Sequence, residues 1–307
     1  MDVSILIVNY NTRELTMNCL DSVYASKTDY TYEVIVVDNA STDGSTAAIE
    51  ERFPEVKLIP NNDNVGFAKA NNQGMDIASG RYTLLLNSDT IVQPDTLQTM
   101  VSFMDEHPGV GASGCKVILP DGSLDKACKR GFPTPSASFY YAFGFSKLFP
   151  HNPRFNQYQL GYLDPNEAYP VDCLVGAFML VRQEVIQQVG KLDETFFMYG
   201  EDIDWCYRIK QAGWEIHYYP ATYIVHYKGA SSRRKPYKII YEFHRAMAVF
   251  HRKHYRQQYS WLTNTAVYTG IALKFTLSLL KNKLLPSPRA ITRPANSTYN
   301  QAKPEVK

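Results

Sequence analysis

The sequence predicts an α/β protein built on a Rossmann-like, doubly wound, mostly parallel sheet, with a helical appendage at the C-terminal end. Three observations support this fold class. Short apolar runs recur through the first 110 residues, and helical segments separate them. That alternation is typical of βα units in a parallel sheet. Each apolar run ends abruptly in short polar residues, and after about residue 233 the pattern is helical. The apolar content of 45% is ordinary for a globular protein.

The elements of the first 110 residues follow in order along the chain. Continuous apolar runs predict strands at residues 3–8, 32–37, 56–59 and 81–86. Helices are predicted from Asn11-Thr12 to Ser26, from Ser41-Thr42-Asp43 onward, and from about 65 to 78 before Gly80. The fingerprint GxGxxG does not follow the first strand, so a standard NAD(P)- or FAD-binding fold is disfavoured.

Residues 120–170 differ from the rest because they are rich in proline and aromatic residues and lack a clear period. Loops of this length are usually functional or disordered, and we interpret this one as a mobile flap. Regular structure is predicted to return at residues 171–181, with a helix from Gly200 to Gly213 and strands at 215–219 and 222–226.

Charge is unevenly distributed along the chain. Between His226 and Gln257 there are nine Lys or Arg residues against one acid, so this segment carries +8 and the remainder −6 of the net +2. Such a basic block suggests a phosphate-rich or anionic-membrane neighbour, although a solvated helix face would look the same. The low overall charge argues against a general polyanion binder, and we expect no nucleic-acid partner.

Residues 261–285 are apolar but contain three lysines, which places them below a convincing transmembrane helix. An interfacial helix fits better, and packing on the chain's own domain or on a second subunit in a homodimer is the alternative. The five cysteines lack metal-site spacing and no signal peptide is visible, so a cytoplasmic location is expected. Residues 286–307 are predicted to be disordered.

Acidic and histidine residues mark the predicted strand ends and one helix start. They are Asp38, Asp89, Glu201-Asp202 and His226. Each has a structural explanation alone, since acids in a first helical turn are favoured anyway. In a parallel sheet, however, all would converge on the edge where ligands bind.

The chemistry of this combination is specific. Asp89 and a neutral His226 could hold a divalent cation against a diphosphate. Asp38 could accept a hydrogen bond from a base imide or a ribose hydroxyl, and Asp202 could accept a proton from an attacking hydroxyl. Together these roles support displacement of a nucleoside diphosphate by an alcohol.

Seven motifs in the same order resemble the inverting family 2 glycosyltransferases with the GT-A fold, in particular the bacterial rhamnosyltransferase-like members. The resemblance covers about residues 3–232. The motifs are Val8-Asn-Tyr-Asn11, Val37-Asp-Asn-Ala-Ser-Thr-Asp43, Asn64-Val-Gly-Phe-Ala-Lys-Ala-Asn-Asn-Gln-Gly74, Asn87-Ser-Asp89, Val175-Gly-Ala177, Gly200-Glu-Asp-Ile-Asp204 and His226-Tyr-Lys-Gly-Ala-Ser-Ser232.

The resemblance implies a role for each matching residue. Asp89 and His226 would bind Mg²⁺ or Mn²⁺, with Asn87 replacing the first acid of the usual DxD motif. Asp202 would be the catalytic base, and Glu201 would orient it or the acceptor. Nucleotide or donor contacts are expected from Asn9, Asn11, Asp38, Asn64, Gly66, Phe67, Asn71, Asn87, Ser88, Ser231, Ser232 and Arg233. Acceptor-side contacts are expected from Gly176, Ala177 and Trp205, and Lys228 is a further phosphate candidate.

The resemblance also implies a domain organisation. Residues 1–232 would form the catalytic domain, with a nucleotide-binding half at about 1–110 and an acceptor half at 111–232 that includes the flap 120–170. Residues 233–285 would form a basic, amphipathic helical extension.

The implied reaction is a single in-line displacement with inversion. dTDP-L-rhamnose is the favoured donor, with a UDP-hexose or UDP-N-acetylhexosamine as the alternative. The acceptor would be a saccharide or a lipid-diphosphate-linked saccharide, which makes peripheral binding to the inner leaflet a coherent hypothesis. A nucleotidylyltransferase is disfavoured because no Gly-rich phosphate loop follows the first strand. A non-catalytic sugar-binding or partner module stays open, because fold does not determine function.

Overall fold

The computed structural model describes residues 1–228 and 236–284, and within them a nine-stranded sheet is flanked by helices. The strands are β1 (Val3–Asn9), β2 (Tyr32–Asp38), β3 (Lys57–Pro60), β4 (Tyr82–Asn87), β5 (Thr90–Val92), β6 (Val110–Ile118), β7 (Tyr169–Pro170), β8 (Phe178–Arg182) and β9 (Glu215–His226). The helices are α1 (Arg13–Tyr24), α2 (Ser45–Arg52), α3 (Phe67–Ile77), α4 (Thr96–Glu106), α5 (Pro135–Ala142), α6 (Phe145–Leu148), α7 (Gln183–Val189), α8 (Glu201–Gln211), α9 (Pro236–Phe250) and α10 (Trp261–Leu284).

The strand order is β3-β2-β1-β4-β8-β6-β9-β5, and β7 pairs with β9. The four strands β3, β2, β1 and β4 are parallel, and antiparallel pairs appear beyond β4. β1 and β4 are almost entirely buried, as expected for central strands whose two faces are both covered. The α/β fold class is confirmed, and the four predicted strands of this half lie within one residue of their predicted bounds.

Strand register explains why distant polar residues meet. Asn9 pairs with Asp38 across β1 and β2, and Val8 pairs with Asn87 across β1 and β4. The carboxyl ends of these strands therefore share one edge of the sheet. At the end of the strand order opposite β3, Thr90 of β5 pairs with His226 at the end of β9. This pairing places His226 beside the loop between β4 and β5.

Two parts of the chain differ from the sequence-based expectation. Residues 120–170, predicted as a loop, contain α5, α6 and a short 3₁₀ turn at Lys126–Cys128. The two strands predicted at 215–219 and 222–226 form the single strand β9. A register shift opposite Cys115 and Lys116 accommodates Pro220 within it, because proline cannot donate a ladder hydrogen bond.

The C-terminal part is helical, as predicted. Ala246, Val249 and Phe250 of α9 join Phe196 and Tyr255 in a small apolar cluster separate from the main core. A π-helical turn at 251–255 follows, and then α10, in which no residue is buried. Among the described residues, no helix has the length and apolarity needed to cross a membrane. The predicted tail at 286–307 and the predicted donor contacts Ser231, Ser232 and Arg233 lie outside the described residues.

Candidate active site

The ends of β1 and β2 are held together by a network around Asp38, which is 2% exposed. Asn9 Nδ2 donates to Asp38 Oδ1 at 2.6 Å, and the Ser41 backbone N–H donates to Oδ2 at 2.8 Å. Asn11, in a left-handed conformation with φ 53°, donates its backbone N–H to Ser41 Oγ and accepts from the Thr42 N–H. Both Asp38 oxygens are thus engaged within the protein, and Asn9 and Asn11 shape this loop.

Asn9 also connects this loop to Ser88. Its side-chain oxygen accepts hydrogen bonds from Thr12 and Thr16 at 2.7 and 2.8 Å. The Thr12 hydroxyl lies 3.1 Å from Ser88 Oγ. The loop that carries Asp89 is therefore tied to the β1 and β2 ends by one buried polar chain.

Gly66 precedes α3 at a close approach of two backbone segments. Its φ of +93° favours glycine, and a Cβ there would lie 2.6 Å from the carbonyl oxygen of Phe197. The Phe67 N–H donates to that same oxygen at 2.7 Å, and Asn64 Oδ1 accepts from the Gly66 N–H. The missing side chain thus lets the start of α3 reach the segment before α8.

Asn71 presents an unused acceptor in the same region. Its Nδ2 donates to the Phe67 carbonyl at 2.9 Å, whereas its buried Oδ1 has no hydrogen-bond partner among the described residues. A buried acceptor without a partner is costly, and a ligand hydroxyl or N–H would satisfy it.

Asp89 and His226 meet where β5 pairs with β9. Asp89 Oδ1 lies 3.2 Å from His226 Nε2, and Asn87 Nδ2 lies 3.3 Å from the same nitrogen. The Asp89 and Asn87 side chains therefore converge on the Nε2 edge of the imidazole, and both Asp89 and His226 are buried.

On the other edge of the imidazole, Nδ1 lies near Asp125, a residue that the sequence did not indicate. Asp125 Oδ2 lies 3.5 Å from His226 Nδ1, and Lys228 Nζ binds both Asp125 oxygens at 2.9 and 3.1 Å. Burial lowers the pKa of His226, but Asp125 and Asp89 outweigh it and raise the pKa to about 9. Lys228 Nζ is thus paired with the Asp125 carboxylate in this structure.

The donor set fits a divalent cation, which would displace the proton that the raised pKa of His226 otherwise keeps on the imidazole. Carboxylate oxygen and imidazole nitrogen are both ligands of Mn²⁺ in proteins, and a separation of 3.2 Å suits two adjacent ligands of one octahedral ion at roughly 2.1 Å each. Asp125 Oδ2 lies 3.5 Å from His226 Nδ1, which has no hydrogen-bond partner among the described residues, so a small shift would make Asp125 the carboxylate that orients a ligating histidine. Within residues 1–228 and 236–284, no group of three His, Cys, Asp or Glu residues could hold a metal. The remaining positions of an ion would therefore belong to water or phosphate oxygens.

Asp202 lies in the first turn of α8 and is bound by Arg130, a residue that no sequence motif indicated. Arg130 Nη2 donates to Asp202 Oδ2 at 2.7 Å and to the Leu174 carbonyl at 2.6 Å. The side chains of Arg130 and Asp202 are 10% and 11% exposed. The carboxylate therefore stands beside a buried guanidinium that comes from the predicted flap.

Gly176 and Ala177 connect the two acidic centres. A Cβ added at Gly176 would lie 3.9 Å from Asp202 Cβ and 3.4 Å from the Phe67 ring. Next to it, the Ala177 carbonyl accepts from the Asn87 N–H at 3.1 Å. Gly176 and Ala177 therefore lie between Asp202 on one side and Asn87 on the other.

Trp205 is not part of this surface. Its side chain is 0% exposed, and its indole N–H donates to the Gly190 carbonyl at 2.9 Å. The acceptor-side contact predicted for Trp205 is therefore not available in this structure, because the indole faces the core side of α8.

Glu201 is buried, and its Oε2 has no hydrogen-bond partner in the described parts of the chain. Burial, together with the neighbouring Asp202, raises the pKa of Glu201 to about 8. The residue therefore holds a proton at neutral pH and is not a second ionised base.

This raised pKa predicts a pH dependence of stability. An unfolded glutamate has a pKa of about 4.3, so the stabilisation from the protonated side chain is complete below that value. It is lost as pH rises toward about 8, by at most about 1.4 kcal/mol per pH unit. In urea titrations at several pH values, the free energy of unfolding of the wild type should therefore fall relative to that of Glu201→Gln between pH 5 and 8. Parallel pH profiles for the two proteins would contradict the assignment.

Comparison with known proteins identifies the family of the chain. Residues 4–190 match the family model described as glycosyl transferase family 2. The chain is 30% identical over 234 residues to the N-acetylglucosaminyl-diphospho-decaprenol L-rhamnosyltransferase of Mycobacterium tuberculosis, covering 73% of this chain and 75% of that protein. It is 28% identical to the rhamnosyltransferase WbbL of Escherichia coli, covering 75% and 85% respectively.

Solved structures show the same fold. The mannosyltransferase PcManGT from Pyrobaculum calidifontis, in complex with GDP-Man and Mn²⁺, superposes with a TM-score of 0.56 at 20% identity, over 91% of this chain and 72% of that one. Residues 1–349 of TarS from S. aureus superpose with a TM-score of 0.54 at 16% identity, over 92% and 73%. The fold is thus the GT-A fold of glycosyltransferases, as the sequence resemblance implied.

Proposed function

The chain belongs to glycosyl transferase family 2, and we propose that it is a metal-dependent, inverting transferase of L-rhamnose from dTDP-L-rhamnose. The acceptor is a hydroxyl of a saccharide or of a lipid-diphosphate-linked saccharide in bacterial cell-surface polysaccharide synthesis. One observation carries this proposal. Gly176 and Ala177 lie between the base candidate and the cation ligands: a Cβ at Gly176 would lie 3.9 Å from Asp202 Cβ, and the Ala177 carbonyl accepts from the Asn87 N–H.

The cation side of the site serves the leaving group. Asp89 and His226 would hold Mg²⁺ or Mn²⁺, which when bound supplies positive charge to the departing diphosphate. Asp125 would keep the imidazole oriented, with Nε2 toward Asp89 and Nδ1 toward Asp125. Asn87 adds a neutral contact, so this site carries one charge fewer than a DxD pair would.

The acid side of the site serves the acceptor. Asp202 lies in the first turn of α8, where the helix dipole favours a negative charge. Arg130 stabilises the same carboxylate and limits its rotation. An acceptor hydroxyl beside Gly176 would pass its proton to Asp202 as it attacks the anomeric carbon from the face opposite the diphosphate, and this gives inversion.

The donor assignment rests on the two rhamnosyltransferase relatives. A thermal-shift panel with Mn²⁺ tests it, using dTDP-L-rhamnose against UDP-glucose, UDP-N-acetylglucosamine and GDP-mannose. We expect selective stabilisation by dTDP-L-rhamnose, followed by release of dTDP only when an acceptor saccharide is added. Selective stabilisation by a UDP-sugar would move the donor to the alternative class. Stabilisation without nucleotide release for any acceptor would favour a binding module.

We also place the protein in the cytoplasm, peripherally at the inner face of the plasma membrane, where a lipid-linked acceptor would be found. Support comes from α10, whose leucines at positions 273, 277, 280 and 284 form one exposed helical stripe, at least half exposed at each position. Lys281 and Lys283 lie in its last turn, where anionic headgroups would attract them. A homodimer that covers the same stripe is the competing interpretation.

A further inference from the structure

A cavity of about 640 Å³ lies between α9, the π-helical turn and the start of α10, away from the residues of the proposed catalytic site. Three arginines and three aromatic residues dominate its lining: Arg245, Arg252, Arg256, Tyr241, Trp261 and Tyr268. Arg245 and Arg252 are seven residues apart and Arg252 and Arg256 four, so the helical segments place all three on one face.

Two of the three arginine charges in this cavity are not neutralised by a carboxylate of the described chain. Arg252 and Arg256 have no carboxylate within ion-pair distance among the described residues, and no acidic side chain lines the cavity. Arg245 contacts Glu242 at 3.3 Å and donates to the Thr195 carbonyl. Guanidinium groups gathered without a counterion favour an anion, and their planar fork matches phosphate oxygens in particular.

The aromatic wall indicates where that anion comes from. Trp261 is 73% exposed and Tyr241 is 53% exposed, although both border the cavity. Amphipathic rings in such positions are typical of a membrane–water interface. Leu262, also exposed, follows Trp261 and begins the apolar outer face of α10. The cavity therefore opens beside a surface that favours acyl chains.

We infer that this arginine cavity binds the phosphate group of an anionic membrane lipid. Arg252 and Arg256 would contact the phosphate, Trp261 would lie at headgroup level, and the leucine stripe of α10 would rest on the acyl boundary. The inference rests on the proposed membrane association and adds a specific headgroup site to it. It does not depend on the identity of the sugar donor.

Vesicle co-sedimentation of the full chain tests the site, with phosphatidylglycerol in phosphatidylcholine vesicles against phosphatidylcholine alone. We expect Arg252→Gln with Arg256→Gln to weaken binding to the anionic vesicles about tenfold or more. Lys281→Gln with Lys283→Gln removes the same charge from α10 and should cost less. Arg252→Lys with Arg256→Lys keeps the charge but loses the fork, and should also bind more weakly than the wild type.

Each other outcome overturns a defined part of the inference. Equal losses in the two Gln pairs, or full binding by the Lys pair, would reduce the effect to general charge attraction. If inorganic phosphate raised the melting temperature of the wild type but not of the Arg252/Arg256 Gln pair, and vesicle binding were equal, the cavity would bind soluble phosphate. A wild type that binds no vesicles would overturn membrane association as well, while transfer to a water-soluble saccharide would still stand.

Discussion

Asp202→Asn is expected to lower the transfer rate by about 10²–10⁴-fold, the usual effect of removing a general base, while nucleotide binding is retained. The amide keeps the size of the side chain and can still contact Arg130, but it cannot accept the acceptor proton. Sugar transfer would be followed by nucleotide release at saturating donor and acceptor, and donor binding by calorimetry with Mn²⁺.

Two controls make this result interpretable. Asp21→Asn applies the same chemical change to an exposed residue of α1 that pairs with Arg52, and both activity and binding should stay at wild-type levels. Because Asp202→Asn leaves the buried Arg130 without a counterion, its melting temperature must be measured as well. A folded, donor-binding Asp202→Asn protein with full activity would remove Asp202 from the role of base.

The second large effect concerns the cation. Transfer should disappear in excess chelator and return with Mn²⁺ or Mg²⁺. Asp89→Asn should weaken Mn²⁺ binding more than Asp125→Asn does. Asp125→Asn should weaken it by about 10–100-fold, the range found for residues that orient a metal ligand. Electron paramagnetic resonance of free Mn²⁺ gives these affinities without any activity assay.

The relative sizes of the two losses in Mn²⁺ affinity distinguish a metal ligand from a residue that orients one. Asp89 touches the side of His226 that faces the cation site, whereas Asp125 touches the far side. If Asp125→Asn bound Mn²⁺ as tightly as the wild type, Asp125 would be reduced to an ion-pair partner of Lys228. Undiminished transfer in the presence of chelator would remove the metal roles of both Asp89 and His226.

Some of this site was accessible from local sequence patterns. Asp38 and His226 each end a strand, Asp89 follows the end of β4 by two residues, and Asp202 is the second residue of α8. Those signals are short-range, and the parallel sheet converts them into proximity at one edge. The burial of Trp205 could not be predicted in this way, because three residues after Asp202 the helix has turned its side chain into the core.

Arg130 and Asp125 could not be assigned in this way. They come from the aromatic segment that the sequence predicts only as a flap, and their partners Asp202 and His226 follow more than 70 residues later. No period or motif links such pairs. Their meeting depends on how residues 120–170 fold back against the end of β6, Cys173 and β9, which tertiary packing decides.

The sequence by itself determined the α/β architecture, the strand ends that carry acids and the family, because periodicity and motif order are properties of neighbouring residues. Only the tertiary structure decided which carboxylate orients His226, which arginine holds Asp202 and which arginines share a cavity beside α10. The physical reason is that such contacts are set by distances between elements far apart in the chain, and these distances follow from the packing of the whole core.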